Sequence, residues 1–467
     1  MYMKGKNNII NIILNFILVI IISYKFNNNL IFIYCIYNSL YFIFKNIFNI
    51  DYKELFLKNK SKNLIFNKCF FNTVFISIIL NIFIFSIIYI LINIMNKILT
   101  INNINILLYT SISLLGYSLI KILINYISIY KLNISKYLYS LYNILKFIIS
   151  LLAIFIFNNK ISLIIILSSN LISFILLFIF IIYKYKIRIG LNNKKYYKEI
   201  ISLYNKNSNN IIVNMLKNSY LYISIILMLY TLIFKYHYEY DYIIKYLNIL
   251  YLYSFYIIYI VIKRIENKLV IKKELYEDKI MFIMNKILPI TILMFVLSKY
   301  IYYVLFNNIK GYDILMFSTV NILFIYLFEF TLEYINIKSR KRTLIIGLII
   351  KLLLTIPLIN TCLRLGINLI YSDILINLIV YIIMIIYNMI IVKNKYNINF
   401  INLFDHILKI IYKNIIYLLF LSIISLFLKL EVTLFNSILI ISIYLIINYI
   451  LNKSNKILRK YLLKLKK

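Results

Sequence analysis

Apolar segments of about 20 residues, separated by short polar stretches, recur along the whole chain of 467 residues. An α-helix needs about 20 consecutive apolar residues to cross a bilayer. The pattern predicts fourteen membrane-spanning helices and leaves no polar stretch long enough for a soluble domain. We therefore expect an all-α integral membrane protein. The predicted spans are residues 8–24, 29–48, 70–95, 104–126, 137–157, 161–183, 211–234, 243–262, 281–305, 313–335, 343–362, 369–392, 407–428 and 433–451.

The basic residues are concentrated in alternate loops of this arrangement. The chain has 52 Lys and Arg residues and a formal net charge of +37, and the stretches "KYKIRIGLNNKKYYKE" and "KSRKR" are two of the basic loops. Cytoplasmic loops of membrane proteins carry an excess of Lys and Arg, so the alternation predicts cytoplasmic N- and C-termini. A basic face for anionic substrates or lipids is a second interpretation. Nucleic acid is not an expected partner, because the basic residues are scattered among loops.

Two pairs of helices, at 70–126 and at 281–335, have similar layouts about 208 residues apart. The spans before each pair are even in number, so both pairs share one orientation, as in a parallel repeat of two halves. The predicted domains are an N-terminal six-helix half (1–183), a basic cytoplasmic linker (184–210), a C-terminal six-helix half (211–400), and two extra helices with a basic tail (401–467).

The sequence offers few groups for metal, redox or covalent chemistry. Its three Cys and two His residues lie far apart, without a metal-ligand or disulfide spacing. It also has no phosphate-binding loop for ATP hydrolysis. We expect a protein that is not an enzyme and needs no metal or cofactor. Without ATP hydrolysis, a transport function would draw its energy from a coupling cation (H⁺ or Na⁺), the membrane potential or consumption of the substrate.

The segment 289–400 resembles a known family. "LPITILMFVLSKYIYYVLFN", with Pro289, precedes a short loop containing Gly311, and "KLLLTIPLI" leads from Lys351 towards Gly366. This layout resembles the bacterial polysaccharide flippases of the multidrug/oligosaccharidyl-lipid/polysaccharide superfamily, similar to stage V sporulation protein B and the lipid II flippase.

The resemblance implies two six-helix halves plus two C-terminal helices, in the cytoplasmic membrane of a bacterium. It implies a monomer, surrounded by membrane lipids, that flips a lipid-diphosphate-linked oligosaccharide or a cell-wall or capsule precursor by alternating access. Two alternatives stay open. One is a cation-coupled multidrug exporter of the same superfamily, and the other is a membrane polysaccharide polymerase.

Ionisable residues inside predicted spans are the candidates for a binding site, because each costs several kcal/mol at bilayer depth. Lys146, Lys217 and Lys351 are the deepest candidates. Asn214 and Asn218 share a helical face with Lys217. If the resemblance holds, the span that contains Lys217 borders a central cavity. A lysine in such a cavity would donate charge-assisted hydrogen bonds to the diphosphate of a lipid-linked sugar.

A second hypothesis concerns the inner ends of two helices. Glu329 lies one turn from the predicted membrane boundary, which the basic stretch from Lys338 to Arg342 marks. The repeat places Lys121 at the matching depth in the first half. A Lys121–Glu329 pair is therefore a candidate gate at the inner mouth.

Overall fold

The computed structural model describes eleven α-helices and one short pair of strands. The described residues are 13–58 (without 16, 23, 24 and 27), 65–66, 68–96, 104–130, 132–185, 188–189, 197–235, 284, 288, 291–292, 294–306, 312–333, 335, 337–365, 369–396, 408, 412, 436 and 442. The predicted span 243–262, and nearly all of 407–428 and 433–451, lie outside them.

The helices of the described part follow the predicted spans closely. Six of them are long and apolar enough to cross a membrane. The predicted all-α membrane fold is confirmed, while the count of fourteen spans stays a prediction. The elements are α1 (Asn28–Phe44), a 3-10 turn (Lys45–Phe48), α2 (Lys53–Lys58), β1 (Ile65–Phe66), α3 (Lys68–Asn96), α4 (Ile104–Tyr130), α5 (Leu132–Ile156), α6 (Asn159–Tyr185), β2 (Arg188–Ile189), α7 (Tyr197–Lys235), α8 (Ser298–Phe306), α9 (Tyr312–Glu333), α10 (Ile337–Leu365) and α11 (Leu369–Tyr396).

Several hydroxyl side chains inside the apolar helices bond to their own helix. On α3, Thr73 donates to the carbonyl of Phe70 at 2.7 Å, and Ser77 donates to the carbonyl of Val74 at 2.7 Å. Such local bonds satisfy a polar group where water is absent. They explain how α3 carries several Ser and Thr residues and still meets the apolar requirement of a span.

The chain divides into two compact units, one of Met1–Glu266 with Ile335–Leu369 and one of Asn267–Tyr334 with Ile370–Lys467. In the first unit α3–α6 pack on one another, α1 packs on α4 and α7, and α10 packs on α7. In the second unit α8 packs on α9, and hydrogen bonds join α9 to α11. The predicted division at residues 184–210 stays a prediction.

Helices α4 and α6 approach each other closely at Gly116. A Cβ atom on Gly116 would lie 2.5 Å from the backbone carbonyl carbon of Asn170 and 2.5 Å from the backbone nitrogen of Leu171. Real Cβ atoms do not approach other atoms so closely, so only glycine fits. Small residues at such crossings let two backbones pack directly in membrane proteins.

Helix α7 begins at Tyr197, inside the segment 184–210 that hydropathy predicts to be a loop. Ile200 is buried, and Leu203 and Tyr204 pack against the apolar core of the first unit. Their spacing of three and four residues places them on one helical face. Lys198 and Glu199 are exposed. Hydropathy averaged over a window is low in an amphipathic segment of this kind, because charged residues offset the apolar ones. The pattern therefore did not predict that the helix begins at Tyr197.

A pair of short strands and two hydrogen bonds join the segments that connect these helices. β1 pairs in parallel with β2, with Ile65 opposite Arg188, a strand pair that the all-α prediction did not include. The hydroxyls of Tyr52 and Tyr204 lie 2.7 Å apart, and the amide of Asn125 on α4 donates to the carbonyl of Ile50 at 3.2 Å. These bonds fasten the segment after α1 to α4 and α7.

Candidate functional site: a lysine cluster in the first unit

Three lysines from separate elements of the first unit form a group that we call the lysine cluster. Lys45 opens the 3-10 turn after α1, Lys121 lies on α4 and Lys146 lies on α5. The Lys45 ammonium interacts electrostatically with both Lys121 and Lys146. All three side chains are half-buried. Like charges repel, so this arrangement costs free energy unless another group offsets it.

Aromatic rings line the lysine cluster. The Lys45 Nζ lies 3.8 Å from the centroid of the Phe42 ring and 6.0 Å from that of Tyr41. The Lys146 Nζ lies 5.9 Å from the same Tyr41 ring. Tyr117 meets Tyr41 edge to face at 6.1 Å. Cations are attracted to the faces of aromatic rings within about 6 Å, so Tyr41 and Phe42 partly offset the repulsion between the lysines.

Helices α1 and α3–α6 supply no carboxylate that could neutralise this charge. Asp51 and Glu54 are the only acidic residues before Glu199, so α1 and α3–α6 carry none. The Asp51 carboxylate accepts a hydrogen bond from the backbone N–H of Lys53 at 3.1 Å, and Glu54 is exposed. A group of ammoniums without acidic residues on its own helices suits an anionic ligand, to which each would donate charge-assisted hydrogen bonds.

A series of buried hydrogen bonds joins α4 and α5, which carry Lys121 and Lys146, to α1 and α6. Tyr37 on α1 shares a 2.6 Å hydrogen bond with Ser113 on α4. The amide of Asn170 on α6 donates to the Ser113 hydroxyl, and the Tyr142 hydroxyl on α5 donates to Asn170 Oδ1 at 3.0 Å. This chain, which we call the polar chain, connects four helices. Buried polar networks whose members are all hydrogen-bonded make a structure rigid. The helices around the lysine cluster are therefore held in fixed relative positions.

Asn214 and Asn218 lie on the face of α7 that contacts the end of α1. The Asn218 amide donates to the carbonyl of Phe42, and the Asn46 amide donates to the carbonyl of Asn214 at 2.9 Å. Lys217 is half-buried on the same helix. The Asn218 side chain and the Asn214 backbone carbonyl therefore take part in this helix contact, whereas the Asn214 side chain is exposed. A substrate contact for either asparagine or for Lys217 stays a prediction.

Lys351 lies on α10, which packs on α7. Its side chain is 1% exposed, and among the described residues it is the only charged one that is so fully buried. The Thr355 hydroxyl donates to the Lys351 backbone carbonyl. Its predicted role in the cavity stays a prediction.

The two residues of the predicted gate belong to different compact units. Lys121 is a member of the lysine cluster and also interacts electrostatically with Tyr139 on α5. Glu329 is half-buried on α9 of the second unit. The Lys121–Glu329 gate stays a prediction.

Sequence reasoning missed Lys45. It lies near the end of the predicted span 29–48, where a lysine ordinarily extends its ammonium towards water. A signal was available in "YFIFK", because Tyr41 and Phe42 precede Lys45 by four and three residues. Residues at those spacings are neighbours on a helix surface, so a lysine there is able to turn back over both rings.

No protein-family model matches this chain, and no curated protein matches it. Among solved structures, it is similar to the lipid II flippase MurJ in an inward closed conformation. The match has a TM-score of 0.64 and 16% sequence identity, and it covers 97% of this chain and 99% of that one. The chain therefore has the same fold as that protein, as the resemblance implied.

Proposed function

We propose that the chain is a flippase of the multidrug/oligosaccharidyl-lipid/polysaccharide superfamily in a bacterial cytoplasmic membrane. Its substrate would be a lipid-diphosphate-linked oligosaccharide or a cell-wall or capsule precursor. The observation that carries the substrate class is the lysine cluster, in which Lys45 interacts electrostatically with Lys121 and Lys146 while α1 and α3–α6 carry no acidic residue. The similarity to a lipid II flippase over 97% of the chain supports the transport class.

The proposed mechanism needs binding and movement but no covalent chemistry. The three ammoniums would donate hydrogen bonds to the diphosphate oxygens and lower the electrostatic cost of carrying the head group through the membrane interior. The lipid tail would stay in the bilayer. The two halves would then expose the site to each side in turn. A coupling cation, H⁺ or Na⁺, is one energy source, and the membrane potential acting on the charged substrate is another.

The cluster also separates this proposal from its main alternative. Many drugs exported by cation exchange are themselves cations, and three lysines without acidic residues on their helices would repel them. A multidrug exporter would be favoured if the purified protein transported organic cations and did not bind diphosphates.

The test is transport of a labelled polyprenyl-diphosphate-linked sugar by the full-length protein in liposomes. The double variant Lys121→Gln/Lys146→Gln should lose at least about tenfold in rate, because each lost charge-assisted hydrogen bond is worth about 1.5–3 kcal/mol. The matched control is Lys160→Gln/Lys206→Gln, which removes two exposed lysines of the same unit. Equal rates for the double variant, the control and the wild type would refute the proposed site.

A further inference from the structure

Phe42, near the end of α1, contacts both the lysine cluster and helix α7. Its ring lies 3.8 Å from the Lys45 Nζ, and it stacks on the Tyr222 ring of α7 with centroids 5.3 Å apart and planes 5° from parallel. Its backbone carbonyl accepts the hydrogen bond from Asn218. One residue thus links a charged group of the candidate site to a helix that contributes no lysine to the cluster.

Helix α7 fixes the end of α1 through three contacts. The backbone carbonyl of Asn214 accepts a hydrogen bond from the Asn46 amide. The Asn218 amide donates a hydrogen bond to the backbone carbonyl of Phe42, and the Tyr222 ring stacks on the Phe42 ring. The three α7 residues are spaced four apart and therefore share one helical face. Lys45 lies between Phe42 and Asn46 in the sequence, so its backbone position depends on this contact.

The Phe42 ring matters because Lys45 is repelled by Lys121 and Lys146. Without an attractive partner, the ammonium of a lysine at a helix end would turn towards water. The attraction between the ring face and the cation opposes that movement. It keeps the charge turned back along α1, where it faces the other two lysines and where an anion would meet all three.

We infer that Phe42 is a positioning residue for anion binding by Lys45, and that α7 controls it through Asn218 and Tyr222. This inference rests on the proposed function, since it takes the diphosphate of the substrate as the anion. Its consequence is a coupling between movement and affinity. A displacement of α7 from α1 would release the Phe42 ring and weaken the head-group site, and binding of the head group would favour the packed arrangement.

The first measurement is the affinity of the full-length protein in detergent for inorganic pyrophosphate and for geranyl diphosphate, by calorimetry. Phe42→Leu should weaken the binding of both probes about tenfold, the effect of about 1.4 kcal/mol of lost cation–π attraction. Phe42→Tyr, which keeps a ring, should bind nearly as tightly as the wild type. Phe85→Leu is the control, because it removes a ring that stacks on Tyr89 of α3. If geranyl diphosphate binds more tightly than pyrophosphate, the site recognises a lipid-linked diphosphate. If the two bind equally, the site recognises the diphosphate group alone.

A double-mutant cycle then separates positioning from general loss of structure. If Phe42 acts through Lys45, Phe42→Leu should have no further effect on affinity in the Lys45→Gln background. An equal loss in both backgrounds would overturn the inference. Tyr222→Leu should show the same dependence on Lys45, and it serves as a second variant if Phe42→Leu does not fold. If Tyr222→Leu bound both probes as tightly as the wild type, the proposed role of α7 would be overturned. Failure of the wild type to bind either probe would instead overturn the proposed function.

Discussion

The α4–α6 pair of the first unit and the α9–α11 pair of the second use similar polar side chains in different ways. Between α4 and α6, Ser113 and Asn170 belong to the polar chain, which extends to α1 and α5. Between α9 and α11, Asn321 donates to the carbonyl of Ile374 at 3.0 Å, and Asn388 donates to Thr331 at 3.1 Å. These two bonds of the second pair share no residue, whereas Ser113 and Asn170 of the first pair belong to one network.

This difference shows how polar residues of membrane helices divide by role. A single interhelical hydrogen bond joins two helices and adds about 0.6 kcal/mol on average. A network that connects four helices fixes their relative positions. In the first unit those helices carry Lys121 and Lys146, and α1 leads directly into the 3-10 turn that begins at Lys45. Residue type alone does not distinguish the two uses, because Asn170 and Asn388 are both buried asparagines.

The largest expected effect on stability comes from Gly116→Ala. The added Cβ would meet the backbone of α6 at 2.5 Å, and overpacking of this kind costs about 1–3 kcal/mol. We expect a lower melting temperature in detergent and slower transport, because the shift disturbs the helices under the lysine cluster. Ser111→Ala on the same helix is the control, since its hydroxyl bonds only within α4 to the carbonyl of Leu108. A melting temperature equal to that of the wild type would contradict the close crossing.

The next effect tests the contrast between network and separate bonds. Tyr37→Phe and Tyr142→Phe, at the two ends of the polar chain, should be coupled by about 0.5–3 kcal/mol in a double-mutant cycle of unfolding free energies. Asn321→Leu and Asn388→Leu should add within about 0.5 kcal/mol. Their bonds lie ten residues apart on α9, at Asn321 and Thr331, which is about 15 Å along a helix. The distinction between the two regions would be wrong if the effects of the two tyrosine substitutions on the free energy of unfolding were additive. It would also be wrong if those of the two asparagine substitutions were coupled.

The smallest expected effect is at Tyr204, outside the predicted spans. Burial raises the pKa of Tyr204 to about 12, although its hydrogen bond with Tyr52 acts in the opposite direction. A raised pKa means stability that is present below pH 10 and is lost as the pH rises from 10 towards 12. Tyr204→Phe should be about 1 kcal/mol less stable than the wild type at pH 8. That difference should shrink above pH 10, as measured by thermal unfolding. Tyr183→Phe, at an exposed tyrosine of α6, should show no such dependence.

Hydropathy predicted the helices well where they are uniformly apolar. The span predicted at 70–95 is the helix Lys68–Asn96, and the one at 369–392 is Leu369–Tyr396. It failed at 197–210, where Ile200 is buried and Leu203 is partly buried, but their charged neighbours lower the average. Length and mean apolarity are sufficient for a span, whereas an amphipathic turn is recognised only by its periodicity.

The sequence named two members of the lysine cluster, Lys121 and Lys146, because a charge is costly inside a span. In the structure both interact electrostatically with Lys45, and the roles predicted for them stay predictions. The sequence assigned them separate roles, since nothing in a single sequence says which helices are neighbours. Lys45 was missed because depth was judged by distance from the end of its span. The Lys45 side chain turns back over the Phe42 ring. Its ammonium therefore lies at a different depth from its backbone.

The turn between α5 and α6 bears on how the chain assembles. Only Phe157 and Asn158 separate the two helices, and the Asn158 carbonyl accepts from both the backbone N–H and the hydroxyl of Ser162. Closing so short a loop costs little entropy, and contacts close in sequence form quickly. During synthesis these two helices would therefore pair as one hairpin soon after both are made, and Lys146 would enter the bilayer beside a packed neighbour.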